Sequence, residues 1–182
     1  GEPPASKVLG QWLAASGATQ VAVAEHGRWF DADRTAGHVL AASPAAVCQA
    51  LVHLVGGRTP SDAWAGAWGR AETSAQDAIS ASLAGHTELT DPGTARSLLA
   101  ALPSDATLVV SSSMPVRDLE WYGAPRIGGR VLANRGANGI DGVVSTAVGV
   151  ALAARGTGQP TVVLVGDVAF LHDANALLGL AA

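Results

Sequence analysis

The stretch Thr161-Val162-Val163-Leu164-Val165-Gly166-Asp167 (TVVLVGD, residues 161–167) decides the fold of this chain. An apolar run this continuous is typical of a central strand in a parallel sheet, covered on both faces. Asp167 then stands at the carboxyl end of that strand, which is where open α/β sheets bind ligands. Gly166 allows a ligand to approach the backbone closely, and a single carboxylate suits Mg²⁺. Taken alone, however, the Gly-Asp pair favours an Asp that caps the next helix.

A second segment, Asn134 to Gly142 (NRGANGIDG), follows a predicted strand at 130–133 and leads into a predicted helix at 140–155. Its glycines leave backbone N–H groups at a helix N-terminus, which is a common anion site. A glycine-rich turn before a tightly packed helix explains the same letters. The segment matches neither the GxGxxG fingerprint nor the P-loop pattern.

A third segment, Ser111 to Asp118 (SSSMPVRD), follows a predicted strand at 107–111 and opens a predicted helix at 114–122. Its serines offer hydroxyl and N–H donors. Arg117 lies four residues after Ser113 and therefore on the same helical face, where it can bind a carboxylate through two hydrogen bonds. Alone, this segment is better interpreted as a helix cap followed by a surface arginine.

The three segments favour a function when they are taken together. Each is predicted to follow a strand of one parallel sheet, and the carboxyl ends of such strands share an edge. We therefore expect the three segments to form one site. The pair His172-Asp173 follows the first segment; either His172 faces that site or the pair caps the last helix.

Strands alternate with helices along the rest of the chain, which predicts an α/β fold with a parallel sheet. The polar, turn-rich stretch 85–93 (GHTELTDPG) predicts a domain boundary, with one domain at 1–88 and another at 89–182. The remaining predicted helices cover 6–16, 44–55, 61–83, 94–102 and 173 onward, and the remaining strands cover 20–24 and 38–41.

The composition excludes several classes of protein. The chain has 182 residues, 48% of them hydrophobic, which is typical of a folded protein. Its net charge of −4 without a basic run argues against nucleic-acid binding. A single cysteine, Cys48, rules out an internal disulfide and fits a reducing compartment. No apolar run has transmembrane length and no signal peptide is visible, so a cytoplasmic protein is expected.

Three strings carry a resemblance to a known family: SSSMPVRDLEWYG, VLANRGANGIDGVVSTAVGVALA and PTVVLVGDVAFLHDANALL. In this order they resemble the start of the diphosphate-binding domain of the 2-succinyl-5-enolpyruvyl-6-hydroxy-3-cyclohexene-1-carboxylate (SEPHCHC) synthases. These are thiamine-diphosphate (ThDP) enzymes of menaquinone biosynthesis, and ANRGANGIDG is specific to them within the ThDP superfamily. The resemblance is strong over 107–182 and weaker over 1–106, where ASKVLGQW at 5–12 is similar to the family's central domain.

The resemblance implies a central Rossmann-like domain followed by the first half of a ThDP diphosphate-binding domain with a parallel sheet. It also implies roles for individual residues. Asp167 matches the metal-binding Asp for Mg²⁺ or Mn²⁺. The positions that match cofactor-binding residues are Ser113, Gly166, Asp167 and Val168. The positions that match substrate-binding residues are Ser113, Arg117, Arg135 and Lys7.

The chemistry implied by the resemblance is a transferase reaction. 2-Oxoglutarate is decarboxylated on ThDP, and the succinyl-semialdehyde unit is added to isochorismate. Family sites form between subunits, so a homodimer or homotetramer is expected. The cofactor-activating Glu belongs to an N-terminal domain that this chain lacks, and the second metal ligand, an Asn, belongs beyond residue 182. We therefore expect no catalytic residue in this chain and no turnover by the chain alone.

Three alternatives remain open. Another ThDP enzyme, such as an acetolactate synthase, shares Asp167 but does not call for Arg117 together with Arg135. A phosphohydrolase of the haloacid-dehalogenase type needs a DxD motif after a strand, whereas Asp31-Ala32-Asp33 lies in a predicted polar loop. A non-catalytic Rossmann-like binding module fits the first domain but leaves the three segments unexplained.

Overall fold

The protein is described by a computed structural model that covers residues 6–27, 30–57, 61–134 and 139–181. It divides into two compact units, Gly1–Ala71 and Glu72–Ala182. The division falls inside the longest helix, so the domain limit at 88/89 stays a prediction. No helix of the described residues is long and apolar enough to span a membrane.

The described residues of the first unit form two short parallel strands, two helices and the start of a third. Its elements are α1 (Lys7–Ala15), β1 (Gln20–Val23), β2 (Ala36–Leu40), α2 (Pro44–Val55) and the start of α3 (Asp62–Ala84). The predicted helix starts are confirmed by side-chain caps. The Ser6 hydroxyl accepts a hydrogen bond from the Leu9 N–H (3.3 Å), and the Ser43 hydroxyl accepts one from the Ala46 N–H (3.1 Å).

Strand β2 begins at Ala36 rather than at the predicted residue 38. The cause is Asp31, whose carboxylate accepts hydrogen bonds from the N–H groups of Thr35 (2.8 Å) and Ala36 (2.9 Å). These bonds fix the backbone just before the strand, and they lower the pKa of Asp31. The N–H groups of the residue before the strand and of its first residue are satisfied in this way.

The first unit has almost no buried core of its own. Among its described residues, only Ala24 is buried. Trp68 contacts Trp64 (ring centroids 5.9 Å apart) and Trp12 (6.4 Å), yet all three rings are more than half exposed. Trp64 and Trp68, one helical turn apart on α3, therefore pack against each other at the surface of this unit.

The second unit is an α/β layer structure. After the end of α3 it contains α4 (Asp91–Ala101), β3 (Thr107–Val110), α5 (Met114–Tyr122), β4 (Arg130–Ala133), α6 (Val143–Ala153), β5 (Thr161–Leu164), α7 (Asp167–His172) and a 3₁₀ helix (Ala174–Ala181). The described strands of this unit are parallel, in the order β4-β3-β5. The predicted α/β class with a parallel sheet is confirmed.

The central strand of the described sheet is β3 and not β5. Every residue of β3 is buried, whereas β5 is only half-buried and borders β3 on one side. The prediction that TVVLVGD is the central strand was wrong. Both strands are apolar runs, and an apolar run reports side-chain burial without fixing the order of the strands.

The core of the second unit lies between β3 and α6. Leu108, Val109 and Val110 are 1% exposed or less, and Val143 and Val144 of α6 are nearly as buried. Each such side chain contributes roughly 1.5–3 kcal/mol when it is fully buried. The best-packed part of the chain therefore lies directly under the predicted site.

Three helix starts differ from the predictions. Helix α4 begins at Asp91 rather than 94, because the Thr90 hydroxyl accepts a hydrogen bond from the Gly93 N–H (3.1 Å). Helix α6 begins at Val143 rather than 140, after Gly142 in the left-handed conformation (φ +66°). Helix α7, which begins at Asp167, was not predicted, and the helix predicted from 173 onward is the 3₁₀ helix Ala174–Ala181.

Candidate functional site

The three predicted segments meet at one edge of the sheet. Val110, the last residue of β3, pairs with Ala133 at the end of β4 and with Leu164 at the end of β5. The residues that follow these three strands therefore emerge side by side, as the sequence predicted. Arg135, a predicted substrate-binding residue, lies outside the described residues.

A cavity of about 520 Å³ opens at this edge. Ser113, Gly166, Asp167 and Val168, the four predicted cofactor-binding residues, all line it. The other lining residues are Asp91, Thr94, Ser111, Ser112, Met114, Pro115, Asp118, Ile140, Leu164, Val165 and Ala169. The cavity combines an apolar wall with hydroxyl and carboxylate groups, as small-molecule sites commonly do.

Ser113 has a strained backbone at the mouth of helix α5. Its φ of 72° and ψ of −129° fall in a region that residues other than glycine rarely adopt. Ser113 is the N-cap residue, but its side chain makes no capping hydrogen bond. Strain that does not serve the helix indicates a functional role for the side chain, because strained residues cluster at binding sites.

Replacing Ser113 with Gly is expected to stabilise the full-length protein while weakening its function. Relief of the strain gains about 1–3 kcal/mol, offset in part by the greater freedom of Gly in the unfolded chain. Loss of the hydroxyl is expected to lower kcat/KM about 2–10-fold, the equivalent of one hydrogen bond. Chemical unfolding and steady-state kinetics measure the two effects. Ser113→Ala is the control: it should lose activity without gaining stability, and equal stability gains in both variants would contradict the role of strain.

Asp167 is the first residue of α7 and is exposed at the cavity. Its Oδ1 accepts a hydrogen bond from the Val168 N–H (2.8 Å), and no described residue donates to its Oδ2. The described residues contain no group of three acidic, His or Cys side chains that suits a metal. One exposed carboxylate with a free oxygen is compatible with a cation such as Mg²⁺, which takes one or two carboxylates and completes its shell with waters and phosphate oxygens.

Gly166 leaves open space beside Asp167. A Cβ atom built at Gly166 has no atom within 4 Å, and the residue lines the cavity. A ligand can thus approach the backbone here, as a diphosphate next to the Asp167 carboxylate requires. The residues present fit ThDP with its metal ion.

A hydrogen-bond network connects the ends of β3 and β4 with the start of α6. The Ser112 hydroxyl donates to the Asn134 carbonyl (2.9 Å). The Asn134 side-chain amide donates to the Gly142 carbonyl (3.1 Å) and to the Thr146 hydroxyl (2.9 Å). Asn134 therefore connects the end of β3 with the start of α6. This role was not predicted from the sequence.

The N-terminus of α6, predicted as an anion site, binds a carboxylate of the protein itself. The Ser145 N–H donates to Asp173 Oδ2 (2.6 Å), and the Ser145 hydroxyl donates to Asp173 Oδ1 (2.8 Å). These two bonds, the backbone bond first, lower the pKa of Asp173. The prediction that the His172-Asp173 pair caps the last helix was wrong, because Asp173 caps α6.

Asp118 is a buried carboxyl group in the cavity wall. Its side chain is on α5, it is 2% exposed, and no described group donates a hydrogen bond to its Oδ1. Burial raises the pKa of Asp118, and the nearby charge of Asp91 raises it further. The sequence analysis did not single out Asp118, because its burial depends on how α5 packs on α4.

The Asp118→Asn variant is expected to be more stable than the wild type at neutral pH. The pKa of Asp118 is raised in the folded state, so this group favours folding below its ordinary pKa and loses that contribution as pH rises through the raised value. The gain in the free energy of unfolding of the variant over the wild type should therefore be small near pH 3. At neutral pH it should reach about 1–3 kcal/mol, which is the cost of an unsatisfied buried polar group. Unfolding of the full-length protein over a pH series measures it. If the difference in unfolding free energy between the variant and the wild type does not vary with pH, the prediction is contradicted.

Two predicted substrate-binding residues lie outside the cavity wall. Lys7 is exposed at the start of α1 in the first unit. Arg117 is half-buried on α5, beside Asp118, and makes no hydrogen bond or ion pair with another described residue. Its guanidinium is thus available to a carboxylate from outside the described residues. The substrate roles of both residues stay predictions.

Several curated proteins that are similar to this chain share one name. The chain is 45% identical over 174 residues to the SEPHCHC synthase of Myxococcus xanthus, 43% identical over 186 residues to that of Halobacterium salinarum, and 41% identical over 181 residues to that of Rubrobacter xylanophilus. These alignments cover 94%, 99% and 97% of the chain. No protein-family model matches it.

The chain spans only 29–30% of the length of these three relatives. The similarity nevertheless extends over both units, including the first, where the motifs carried a weaker resemblance. The resemblance inferred from the three strings is therefore confirmed by relatives that match nearly the whole chain.

Proposed function

We propose that this chain is part of a SEPHCHC synthase, a ThDP- and Mg²⁺-dependent transferase of menaquinone biosynthesis. The complete enzyme would decarboxylate 2-oxoglutarate, add the succinyl-semialdehyde unit to isochorismate and release CO₂. The observation that carries the proposal is the cavity at the carboxyl edge of the sheet. It is lined by Ser113, Gly166, Asp167 and Val168 in a chain whose curated relatives bear this name.

Asp167 would hold the metal ion and Gly166 would lie beside the diphosphate. The Val168 N–H orients the Asp167 carboxylate and leaves Oδ2 for the cation. Exposure of Asp167 at the cavity keeps this oxygen within reach of a bound diphosphate. When bound, ThDP supplies the electron sink for decarboxylation, and the protein supplies position and electrostatics.

Ser113 and Arg117 would bind the substrates. Both substrates are dicarboxylates, and a guanidinium binds a carboxylate through two parallel hydrogen bonds. The Ser113 hydroxyl lies at the cavity and serves no helix cap, so it is free to donate to a substrate oxygen. Arg135 and Lys7 are assigned to the same task by the resemblance alone.

The described residues supply one part of a site that further residues complete. Within the described residues Asp167 has no second metal ligand. We propose that the second metal ligand and the cofactor-activating Glu come from the rest of the protein. A homodimer or homotetramer follows from a site built between subunits. We expect the chain alone to show no turnover.

The experiment is an assay of CO₂ release by the full-length protein with ThDP and Mg²⁺. The proposal would be supported if CO₂ is released from 2-oxoglutarate and the SEPHCHC product forms only when isochorismate is present. Turnover of pyruvate instead would move the assignment to an enzyme of the acetolactate synthase type. No release from any 2-oxo acid, by a protein that does not bind ThDP, would leave the hypothesis of a non-catalytic Rossmann-like module.

A further inference from the structure

The carboxylate of Asp173, at the end of α7, binds the start of α6. Helix α6 has Gly142 as its N-cap residue and therefore no side-chain cap of its own. Asp173, the residue after α7, takes that place through the N–H and the hydroxyl of Ser145, at 2.6 and 2.8 Å. A carboxylate here is also favoured by the helix dipole.

A second contact joins the same two elements. His172 Nε2 lies 3.5 Å from Asp141 Oδ1, just before α6, and both side chains are about half exposed. The last residue of α7 thus contacts Asp141, two residues before α6, and the residue after α7 contacts Ser145 in the first turn of α6. These contacts hold α7 at its C-terminal end.

The sides of α7 contribute little to holding it. The helix has six residues, and only Ala169 is buried. Val168, Phe170 and Leu171 are 65%, 42% and 79% exposed. Since side-chain packing is this sparse, the position of the helix depends on the strand before it and on the contacts after it.

Asp167 lies at the other end of the same short helix. A helix of six residues is about 9 Å long, so its two ends are less than two turns apart. Fixing its C-terminal end at α6 therefore also fixes the direction in which the Asp167 carboxylate enters the cavity. Asp173 does not line the cavity, so it acts through the helix and not on a ligand.

We propose that Asp173 is a positioning residue: by binding the start of α6 it holds α7 so that Asp167 is ready to bind the metal ion. This inference rests on the proposed function, because it takes Asp167 as the metal ligand. It predicts that the contact between Asp173 and Ser145 contributes to metal and ThDP affinity.

The test uses the full-length protein and its Asp173→Asn variant. Mg²⁺ and ThDP dissociation constants are measured by calorimetric titration, together with kcat at saturating metal and cofactor. We expect both dissociation constants to rise about 10-fold, at the low end of the 10–100-fold typical for outer-shell groups of metal sites. The value of kcat at saturation should stay close to that of the wild type. Asp105→Asn, an exposed acidic residue just before β3, is the control and should change neither.

A second variant separates the contact from general damage to the fold. Ser145→Ala removes the hydroxyl donor and keeps the backbone N–H, so we expect a rise of about 2–5-fold, within the range of one hydrogen bond. In the double variant with Asp173→Asn, the two effects should be less than additive, because the groups are in contact.

The outcomes distinguish this inference from the proposed function. If Asp173→Asn lowers only the thermal stability and leaves both dissociation constants unchanged, the cap is structural and the inference is overturned. If the two variants have fully additive effects, the contact is not the cause, and the inference is again overturned. If the wild-type protein binds neither Mg²⁺ nor ThDP, the proposed function itself fails.

Discussion

The Asp167→Asn variant of the full-length protein should lose isochorismate-dependent CO₂ release from 2-oxoglutarate by at least about 100-fold. Outer-shell groups of metal sites already contribute about 10–100-fold, and Asp167 is proposed as a direct ligand. The amide of Asn keeps the size of the side chain and removes the negative charge that a hard cation prefers. The same residue is exposed, so its loss should not unfold the protein.

Three measurements make this result decisive. Mg²⁺ titration of the variant should show weaker binding, and the melting temperature should stay within a few degrees of the wild type. Asp105→Asn removes a charge at the opposite end of β3 and should retain activity. Full activity of Asp167→Asn at ordinary Mg²⁺ concentration would show that the metal is held by other residues.

Replacing Arg117 with Gln should raise the KM for at least one dicarboxylate substrate by about 10–100-fold. Hydrogen bonds to charged groups contribute about 1.5–3 kcal/mol, and Arg117 makes no such bond with the described residues. Lys keeps the charge but not the two-pronged geometry, so Arg117→Lys should lie between Gln and the wild type. The KM values for 2-oxoglutarate and isochorismate, measured separately, show which carboxylate is bound.

The matched control for Arg117 is Arg130. It is exposed at the start of β4, at the edge of the sheet opposite to the cavity. Arg130→Gln removes the same charge and should leave both KM values unchanged. If Arg130→Gln and Arg117→Gln raise KM equally, the overall charge of the protein attracts the substrates and Arg117 has no specific role.

Local features of the fold were predictable from the sequence because local chemistry determines them. Ser6 and Ser43 cap their helices through N–H groups three residues away, and Ser43 is followed by a proline that starts the helix. The meeting of three loops at one sheet edge was also predictable, since parallel strands place their carboxyl ends together. Ser113, Gly166 and Asp167 of the cavity lining belong to these segments, and Val168 was assigned by the family resemblance.

Features that depend on distant residues were not predictable. β3 is the central strand of the described sheet. An apolar run in the sequence does not show the order of the strands. Asp173 caps α6 through Ser145, a residue 28 positions earlier in the chain. The burial of Asp118 depends on how two helices pack, and the positive φ of Ser113 contradicts the preference of a serine. Each of these requires the tertiary structure.

The central position of β3 sets the order in which this sheet can assemble during synthesis. Its neighbours β4 and β5 both come later in the chain, and Thr107 pairs with Thr161 on one side. Until β5 has left the ribosome, the most buried strand has an open edge that can pair with another chain. The α6 cap comes later still, because Asp173 follows β5. While residues 111–160 are being made, β3 therefore lacks the strand that pairs with it from Thr107 to Val110.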